Sequence, residues 1–282
     1  FTSKPEKIPG NILKGVFITG HFSLIDIPYI QFLEIEPTTF CNAGCPLCSR
    51  HKPGTSDLID ELVLEHLPKH ILEKMRNELN AYQTAKEVCV FFCGNYGDAI
   101  MHPEFEWLYW YSAQYFKSVG VHTNGGARST DFWKELGKIS KPNEWGFSNA
   151  SITFAIDGLE DTNHLYRKNC KWTKIIDNAS AFINAGGHAE WDYVVFKHNQ
   201  HQVNEAKQVS ERLGFKNFNV KKTSRFLNYN HELVDYYDTS DGHKIYPPTD
   251  AKYVNKAYDK LKSTNLEVLF TFCVTTQRLT SL

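Results

Sequence analysis

The chain has 282 residues, with 31 Lys and Arg residues against 32 Asp and Glu residues, a formal net charge of -1, and 41% hydrophobic residues. This composition disfavours collagen-like, coiled-coil and disordered classes, and the charge balance gives no argument for binding nucleic acid or an anionic membrane. No run approaches the roughly 18 to 20 apolar residues that span a bilayer, and the N-terminus lacks the order of a secretory signal, so we expect a cytoplasmic protein.

Six strand-like runs alternate with helical patterns along most of the chain. Strands are predicted at residues 30–35, 88–92, 119–122, 151–156, 189–196 and 218–220, and helices at 57–79, 104–116, 131–139, 172–183 and 203–213. The clearest helix carries Trp172, Ile175, Ala179 and Phe182 at helical spacing before Gly186. Such alternation implies a parallel sheet with helices outside it, and six units fall short of the eight in a complete barrel.

These patterns divide the chain into three parts. We expect an α/β fold in which residues 30–225 form a partial (β/α)6 TIM-like barrel, preceded by an N-terminal extension over residues 1–29. From residue 226 to residue 282 the sequence is rich in loops, which predicts a linker and a small C-terminal element with a helix over 251–261.

The strongest chemical signal is a cluster of cysteines directly after the first strand. Cys41, Cys45 and Cys48 are three of the seven cysteines, and their spacing favours metal binding over disulfides in a reducing compartment. Three thiolates on one loop can hold three irons of a [4Fe-4S] cube and leave the fourth iron open. The alternatives are a zinc site completed by His51, or structural cysteines without a metal.

The segment around these cysteines resembles the opening of radical S-adenosylmethionine (radical SAM) enzymes. Glu36-Pro37-Thr38-Thr39-Phe40 precedes CxxxCxxC, and further landmarks follow in the order of that family over about residues 30–225. The resemblance implies a [4Fe-4S] cluster on Cys41, Cys45 and Cys48, with SAM on the open iron. Reductive cleavage of SAM would then give methionine and a 5′-deoxyadenosyl radical that abstracts hydrogen from a substrate.

The same resemblance implies contacts to SAM near the cluster and after the second strand. The backbone of Leu47 would approach the adenine, and Gly97-Asp98 is similar to the Gly-Glu pair that offers backbone groups to the SAM ammonium. Ala99 stands where the family has proline. A plain glycine-rich turn is the alternative for this segment.

Later landmarks supply the remaining residues that the resemblance assigns to SAM binding. Thr123 and Asn124 would contact the ribose or carboxylate, although a simple turn explains them as well. Asp157 lies in Ala-Ile-Asp-Gly, which resembles the family's Ser-Ile-Asp-Gly without its hydroxyl. Arg167 would pair with the SAM carboxylate, and Phe196 would contact the adenine.

The end of the sixth strand and the tail bear on the substrate. Lys221, Lys222 and Arg225 could bind an acidic substrate or could be solvated surface charges. The stretch from residue 191 and the tail resemble the SPASM/twitch subgroup, whose members bind auxiliary iron-sulfur clusters. Cys273 is one cysteine and cannot hold a cluster by itself, so either this extension is degenerate or its remainder is missing and an auxiliary cluster would involve Cys273.

The resemblance suggests a peptide substrate and an electron donor such as flavodoxin or ferredoxin. A small metabolite as substrate, and a non-catalytic iron-sulfur or zinc binding module, are the alternatives, and Ala99 and Ala155 would then mark a decayed SAM site.

Overall fold

Six parallel strands form one sheet whose neighbours follow chain order. The structure, a computed structural model, describes residues 30–142, 148–226 and 234–255. Its strands are β1 (Phe32–Ile35), β2 (Cys89–Phe92), β3 (Ser118–Thr123), β4 (Ala150–Ala155), β5 (His188–Val195) and β6 (Asn217–Lys222). Within these residues β1 and β6 are the two edges of the sheet, so the barrel is open. The predicted α/β partial barrel is confirmed.

Helices connect the parallel strands, as crossover connections require. They are α1 (Lys69–Leu79), α2 (Phe105–Tyr115), α3 (Thr130–Ile139), the short α4 (Asn163–Tyr166), α5 (Trp172–Asn184) and α6 (Val203–Leu213). The predicted apolar stripe of α5 is buried at Ile175, Ala179 and Phe182. Gly137 lets α3 approach α5 closely, because a Cβ there would collide with the Phe182 carbonyl oxygen.

The two faces of the sheet differ in character. On β3, Val119 and Val121 are 1% exposed, whereas Gly120 and His122, which alternate with them, are half-buried. Successive side chains of a strand point to opposite faces, so one face packs against the helices and the other faces the inside of the open barrel. The inner face therefore carries the residues that can meet a ligand.

The helix predicted over residues 57–79 is wrong in its first half, since α1 begins at Lys69. Residues 57–68 form a loop that returns to the segment before the cysteines, where the Thr39 hydroxyl donates to the Val63 carbonyl at 2.7 Å and Leu67 N–H donates to the Pro37 carbonyl at 2.8 Å. Pro68 caps α1, and the residue before a proline is disfavoured in helical conformation.

The described part of the C-terminal element is a short hairpin, β7 (Tyr237–Asp238) with β8 (Lys244–Ile245). The Tyr237 ring packs 5.9 Å from the ring of Phe226, which is fully buried. The helix expected over residues 251–261 is not formed at residues 251–255, which make turns and a bend, and its remainder lies outside the described residues, as does Cys273. Over the described ranges, every helix is too short or too polar to cross a bilayer.

Candidate functional site

A cavity of about 260 Å³ opens at the carboxyl ends of the strands. Cys41, Cys45 and Cys48 line it together. Other side chains on its wall come from β1 to β5, including Glu34, Phe91, His122, Ala155, Asp192 and Val194. Carboxyl ends of parallel strands are the usual position of active sites in barrels of this kind. The cavity thus joins the cysteine loop to the inner face of the sheet.

Hydrogen-bond donors surround the sulfurs of the first two cysteines. The backbone N–H of Ala43 lies 3.3 Å from Cys41 Sγ, and Asn124 Nδ2 lies 3.7 Å from the same sulfur. Arg167 Nη1 lies 3.8 Å from Cys45 Sγ. Burial raises the pKa of both thiols, and the nearby Arg167 acts against this rise at Cys45. Such donors suit sulfurs that carry negative charge once they bind a metal.

Arg50 and Gly97 hold the cysteine loop against the turn after β2. Arg50 was not predicted from the sequence, and Gly97 was predicted to have a different role. Buried Arg50 donates to the carbonyl oxygens of Thr39 at 2.8 Å and Tyr96 at 3.1 Å. Gly97 allows this close packing, because a Cβ there would collide with the Thr38 carbonyl oxygen. The only sequence signal for Arg50 was its position two residues after the last cysteine.

The Glu36 carboxylate also holds the turn after β2 in place. Its Oε1 atom accepts hydrogen bonds from the backbone of Asn95 at 2.6 Å and Tyr96 at 3.3 Å, and from the Cys93 thiol at 3.1 Å. Burial raises the pKa of Glu36. Cys93 lines the cavity, so the end of β2 contributes a fourth sulfur to its wall.

Asp98 joins the turn after β2 to the turn after β3. Its Oδ2 atom accepts hydrogen bonds from the Thr123 hydroxyl at 3.1 Å, from Asn124 N–H at 2.8 Å and from Asn124 Nδ2 at 2.6 Å. The Asn124 amide also reaches Asn42 Oδ1 at 2.9 Å. Asp98 is 3% exposed, and burial raises its pKa. Asp98, Thr123 and Asn124, with Gly97, all lie on the cavity wall.

Asp157 and Arg167 form an ion pair beside the cysteines. Arg167 Nε lies 2.7 Å from Asp157 Oδ2, and the other carboxylate oxygen accepts Val194 N–H at 2.7 Å. Asp157 is fully buried, whereas Arg167 reaches the cavity. The carboxylate therefore orients the guanidinium toward the cysteines, with Nη1 beside Cys45 Sγ.

Two residues predicted to contact the adenine, Leu47 and Phe196, have side chains that do not line the cavity. Phe196 is fully buried between Tyr166, at 4.5 Å between ring centroids, and Phe226, at 6.1 Å, so its side chain belongs to the core. Val194, two residues earlier and on the inner face, reaches the cavity instead. The Leu47 side chain packs against the core and does not line the cavity either, although the expectation for Leu47 concerns its backbone.

The inner face also carries a polar set that the sequence analysis did not assign. Asp192 Oδ2 lies 3.2 Å from Lys221 Nζ and 3.9 Å from His122 Nε2, and Asp192 Oδ1 accepts Asn219 Nδ2 at 3.0 Å. Burial lowers the pKa of His122, although the Asp192 carboxylate acts against this shift. The available signal for Asp192 was a charged residue between the aromatic residues Trp191 and Tyr193 of β5.

No protein-family model matches the sequence, and no curated protein does. Solved structures match the fold: SuiB of Streptococcus suis bound to S-adenosylmethionine aligns at 13% identity with a TM-score of 0.53, over 72% of this chain and 43% of SuiB. SuiB bound to the precursor peptide SuiA aligns at 15% identity and 0.54, over 71% of this chain and 41% of SuiB. Native anSMEcpe with bound AdoMet aligns at 18% identity and 0.51, over 71% of this chain and 55% of anSMEcpe.

The chain thus spans about half the length of these proteins. At such identities the likeness shows the fold: an open parallel barrel that SuiB and anSMEcpe share with this chain.

Proposed function

We propose that this chain, which has the fold of the radical SAM enzymes, is itself a radical SAM enzyme that holds a [4Fe-4S] cluster on Cys41, Cys45 and Cys48. One observation carries the proposal. The three cysteines and the turns after β2 and β3 line the same cavity, at the end of the barrel where SAM would have to meet the cluster.

The residues present fit a cluster better than a single zinc ion. Cysteine thiolates are the ligands that iron-sulfur clusters take, and three of them leave one iron for another ligand. A structural zinc ion needs four ligands converging on one point. In residues 30–142, 148–226 and 234–255, no group of three His, Cys, Asp or Glu side chains is close enough to hold one ion. A cube offers each sulfur its own iron, so it tolerates more widely spaced sulfurs.

When bound, the cluster would supply the electron that cleaves SAM to methionine and a 5′-deoxyadenosyl radical. The chain's own residues would position SAM: Arg167, oriented by Asp157, would bind its carboxylate through the terminal nitrogens. Thr123 and Asn124, fixed by Asp98, would bind the ribose or carboxylate, and the backbone at Gly97 would face the ammonium. Preorganised donors of this kind need no rearrangement when the ligand enters.

The substrate and the electron donor are further parts of the proposal. SuiB has been captured with the precursor peptide SuiA, which favours a peptide for this chain over a small metabolite. Reduction of the cluster requires a donor of the flavodoxin or ferredoxin type.

The test is anaerobic reconstitution of the protein, followed by iron and sulfide analysis, electron paramagnetic resonance and assay of 5′-deoxyadenosine. Wild type should hold about four irons, give a reduced-cluster signal that SAM alters, and release 5′-deoxyadenosine with dithionite. Changing Cys41, Cys45 or Cys48 to Ala should abolish the cluster and SAM cleavage. Cys89→Ala is the matched control, because Cys89 lies on β2 but not on the cavity wall.

SAM cleavage retained in any of the three cysteine variants would sink the assignment. Tightly bound zinc in the wild type, without SAM binding by calorimetry, would instead favour the non-catalytic module. Ala155 would be consistent with the non-catalytic module, because it lines the cavity and has no hydroxyl to bind the ribose of SAM.

A further inference from the structure

Three arginines line the cavity, and two of them are held in place by hydrogen bonds or an ion pair within the protein. Arg50 is buried and donates to two backbone carbonyl oxygens. Arg167 is paired with the buried carboxylate of Asp157 at 2.7 Å. The third, Arg225, follows the end of β6 and is exposed.

Arg225 has a fixed position but no carboxylate acceptor for its guanidinium among the described residues. Its backbone N–H donates to Thr223 Oγ1 at 3.1 Å, and the next residue, Phe226, is fully buried. The guanidinium lies over the ring of Tyr166, with 5.6 Å from its carbon to the ring centroid. A stacked guanidinium keeps its planar fork of donors free for an incoming anion.

The other cations at the end of β6 do not compete for that anion. Lys221 is paired with Asp192 at 3.2 Å. Lys222 is exposed and does not line the cavity. Of the three cations that the sequence placed at this strand end, Arg225 alone faces the cavity without a carboxylate partner in the part of the chain that the structure describes.

We propose that Arg225 binds a carboxylate of the substrate, and hence that the substrate is an acidic molecule or a peptide with an acidic group near the reacting carbon. This inference rests on the proposed function. The carboxylate of SAM has a better-placed partner in Arg167, since Arg167 Nη1 lies 3.8 Å from Cys45 Sγ. Arg225 makes no hydrogen bond to a described cysteine sulfur, and it follows β6, which is an edge strand of the described sheet.

The test compares two capped amino acids that differ only in charge: the N-acetyl, N-methylamide derivatives of glutamate and glutamine. Binding to reconstituted, SAM-saturated protein is measured by calorimetry or ligand-observed NMR. A charge-assisted, bidentate contact should give the glutamate probe an advantage of about tenfold or more in wild type. Arg225→Gln should remove this advantage, and Arg225→Lys should keep part of it. Lys222→Gln, which removes a neighbouring charge outside the cavity, should keep all of it.

Equal binding of the two probes to wild type would overturn the inference, as would the same loss in Lys222→Gln. The Kd for SAM separates the two possible carboxylates: it should change by less than about threefold in Arg225→Gln and rise about tenfold in Arg167→Gln. A large rise in Arg225→Gln, absent with decarboxylated SAM, would assign Arg225 to SAM and overturn the inference. If the wild-type protein binds neither iron nor SAM, the proposed function is contradicted instead. The glutamate and glutamine probes are then compared on the protein as purified, without reconstitution.

Discussion

Asp98 illustrates how a single buried carboxylate organises the candidate site. The sequence predicts a role for the backbone at Gly97-Asp98. In the structure the Asp98 side chain also accepts hydrogen bonds, from the Thr123 hydroxyl and from the backbone and side-chain amides of Asn124. Burial alone would make this carboxylate unfavourable, and three donors compensate for the lost water. The turns after β2 and β3 therefore behave as one unit.

Removing the hydroxyl of two buried tyrosines, Tyr109 and Tyr166, should have different effects on stability. The hydroxyl of Tyr166 has no hydrogen-bond partner among the described residues, whereas the hydroxyl of Tyr109 lies 2.6 Å from Ser140 Oγ. Both side chains are fully buried. Tyr109→Phe should lower the free energy of unfolding by about 1 kcal/mol, while Tyr166→Phe should leave it unchanged or raise it, because an unpaired buried hydroxyl costs free energy. Urea denaturation of the two variants measures this, and an equal loss in both would contradict it.

The cysteines and the residues of the turns after β2 and β3 were accessible to sequence reasoning because they lie in short contiguous motifs. Phe196 and Arg50 were not, for a physical reason: whether a side chain at a strand end faces the core or the cavity depends on register and on elements far away in the chain. Phe196 turns into a core formed with Tyr166 and Phe226, and Arg50 acts through carbonyl oxygens of Thr39 and Tyr96.

At the level of elements, the hairpin β7–β8 packs directly on the cysteine loop. Gly54, in that loop, accepts the Ser240 N–H at 3.1 Å and itself donates to the Pro46 carbonyl oxygen at 2.9 Å. Lys168 forms an ion pair with Asp241, and its carbonyl oxygen accepts Gly44 N–H at 3.0 Å. The hairpin and the segment after α4 thus hold the cysteine loop from two sides.

Gly54→Ala should release the hairpin. Gly54 has φ +78°, and a Cβ there would collide with the Asp238 carbonyl oxygen. Gly242→Ala is the matched control, because Gly242 has φ +81° and nothing within 4 Å of an added Cβ. Both changes carry a left-handed backbone cost of about 1 kcal/mol, and only the first adds a backbone clash. Faster hydrogen exchange over residues 237–245 is expected in Gly54→Ala beyond that in the control; equal rates would argue against docking through Gly54.

The elements that local pattern predicts well are those whose burial repeats with a regular period. Helix α5 follows its stripe of Ile175, Ala179 and Phe182, and all six strands appear where predicted, to within about two residues at each end. Residues 57–68 defeated the same reasoning because their order comes from long-range hydrogen bonds to Pro37 and Thr39. The local periodicity of apolar residues carries no information about hydrogen-bond partners that are distant in the sequence.

At the scale of the whole molecule, the half-buried His198, whose two ring nitrogens are buried, predicts a loss of stability in acid. Burial lowers the pKa of His198 to about 4, and neither of its ring nitrogens has a hydrogen-bond partner among the described residues. Its ring stacks on Phe196 at 5.4 Å between centroids. Unfolding restores the ordinary pKa of about 6.5, so the unfolded chain binds more protons between about pH 6.5 and pH 4. The contribution of His198 is therefore complete above about pH 6.5 and is lost as the pH falls toward about 4.

His198→Leu should make the free energy of unfolding less sensitive to acid, by up to about 3 kcal/mol between about pH 7 and pH 4. Urea titrations at several pH values measure the difference from wild type. His70→Leu, at an exposed position of α1, is the control and should leave the pH dependence as it is. If the free energy of unfolding of His198→Leu falls with pH as steeply as that of the wild type, His198 is not the group whose protonation causes the loss of stability in acid.

The contact between Gly54 and the hairpin also bears on the order of events during synthesis. The cysteine loop emerges from the ribosome early, but the hairpin that contacts Gly54 comes after the last strand of the barrel. Domains complete their long-range contacts only once the distant segments are available. We therefore expect the cysteine loop to reach its final position only after the barrel is finished and the hairpin docks at Gly54.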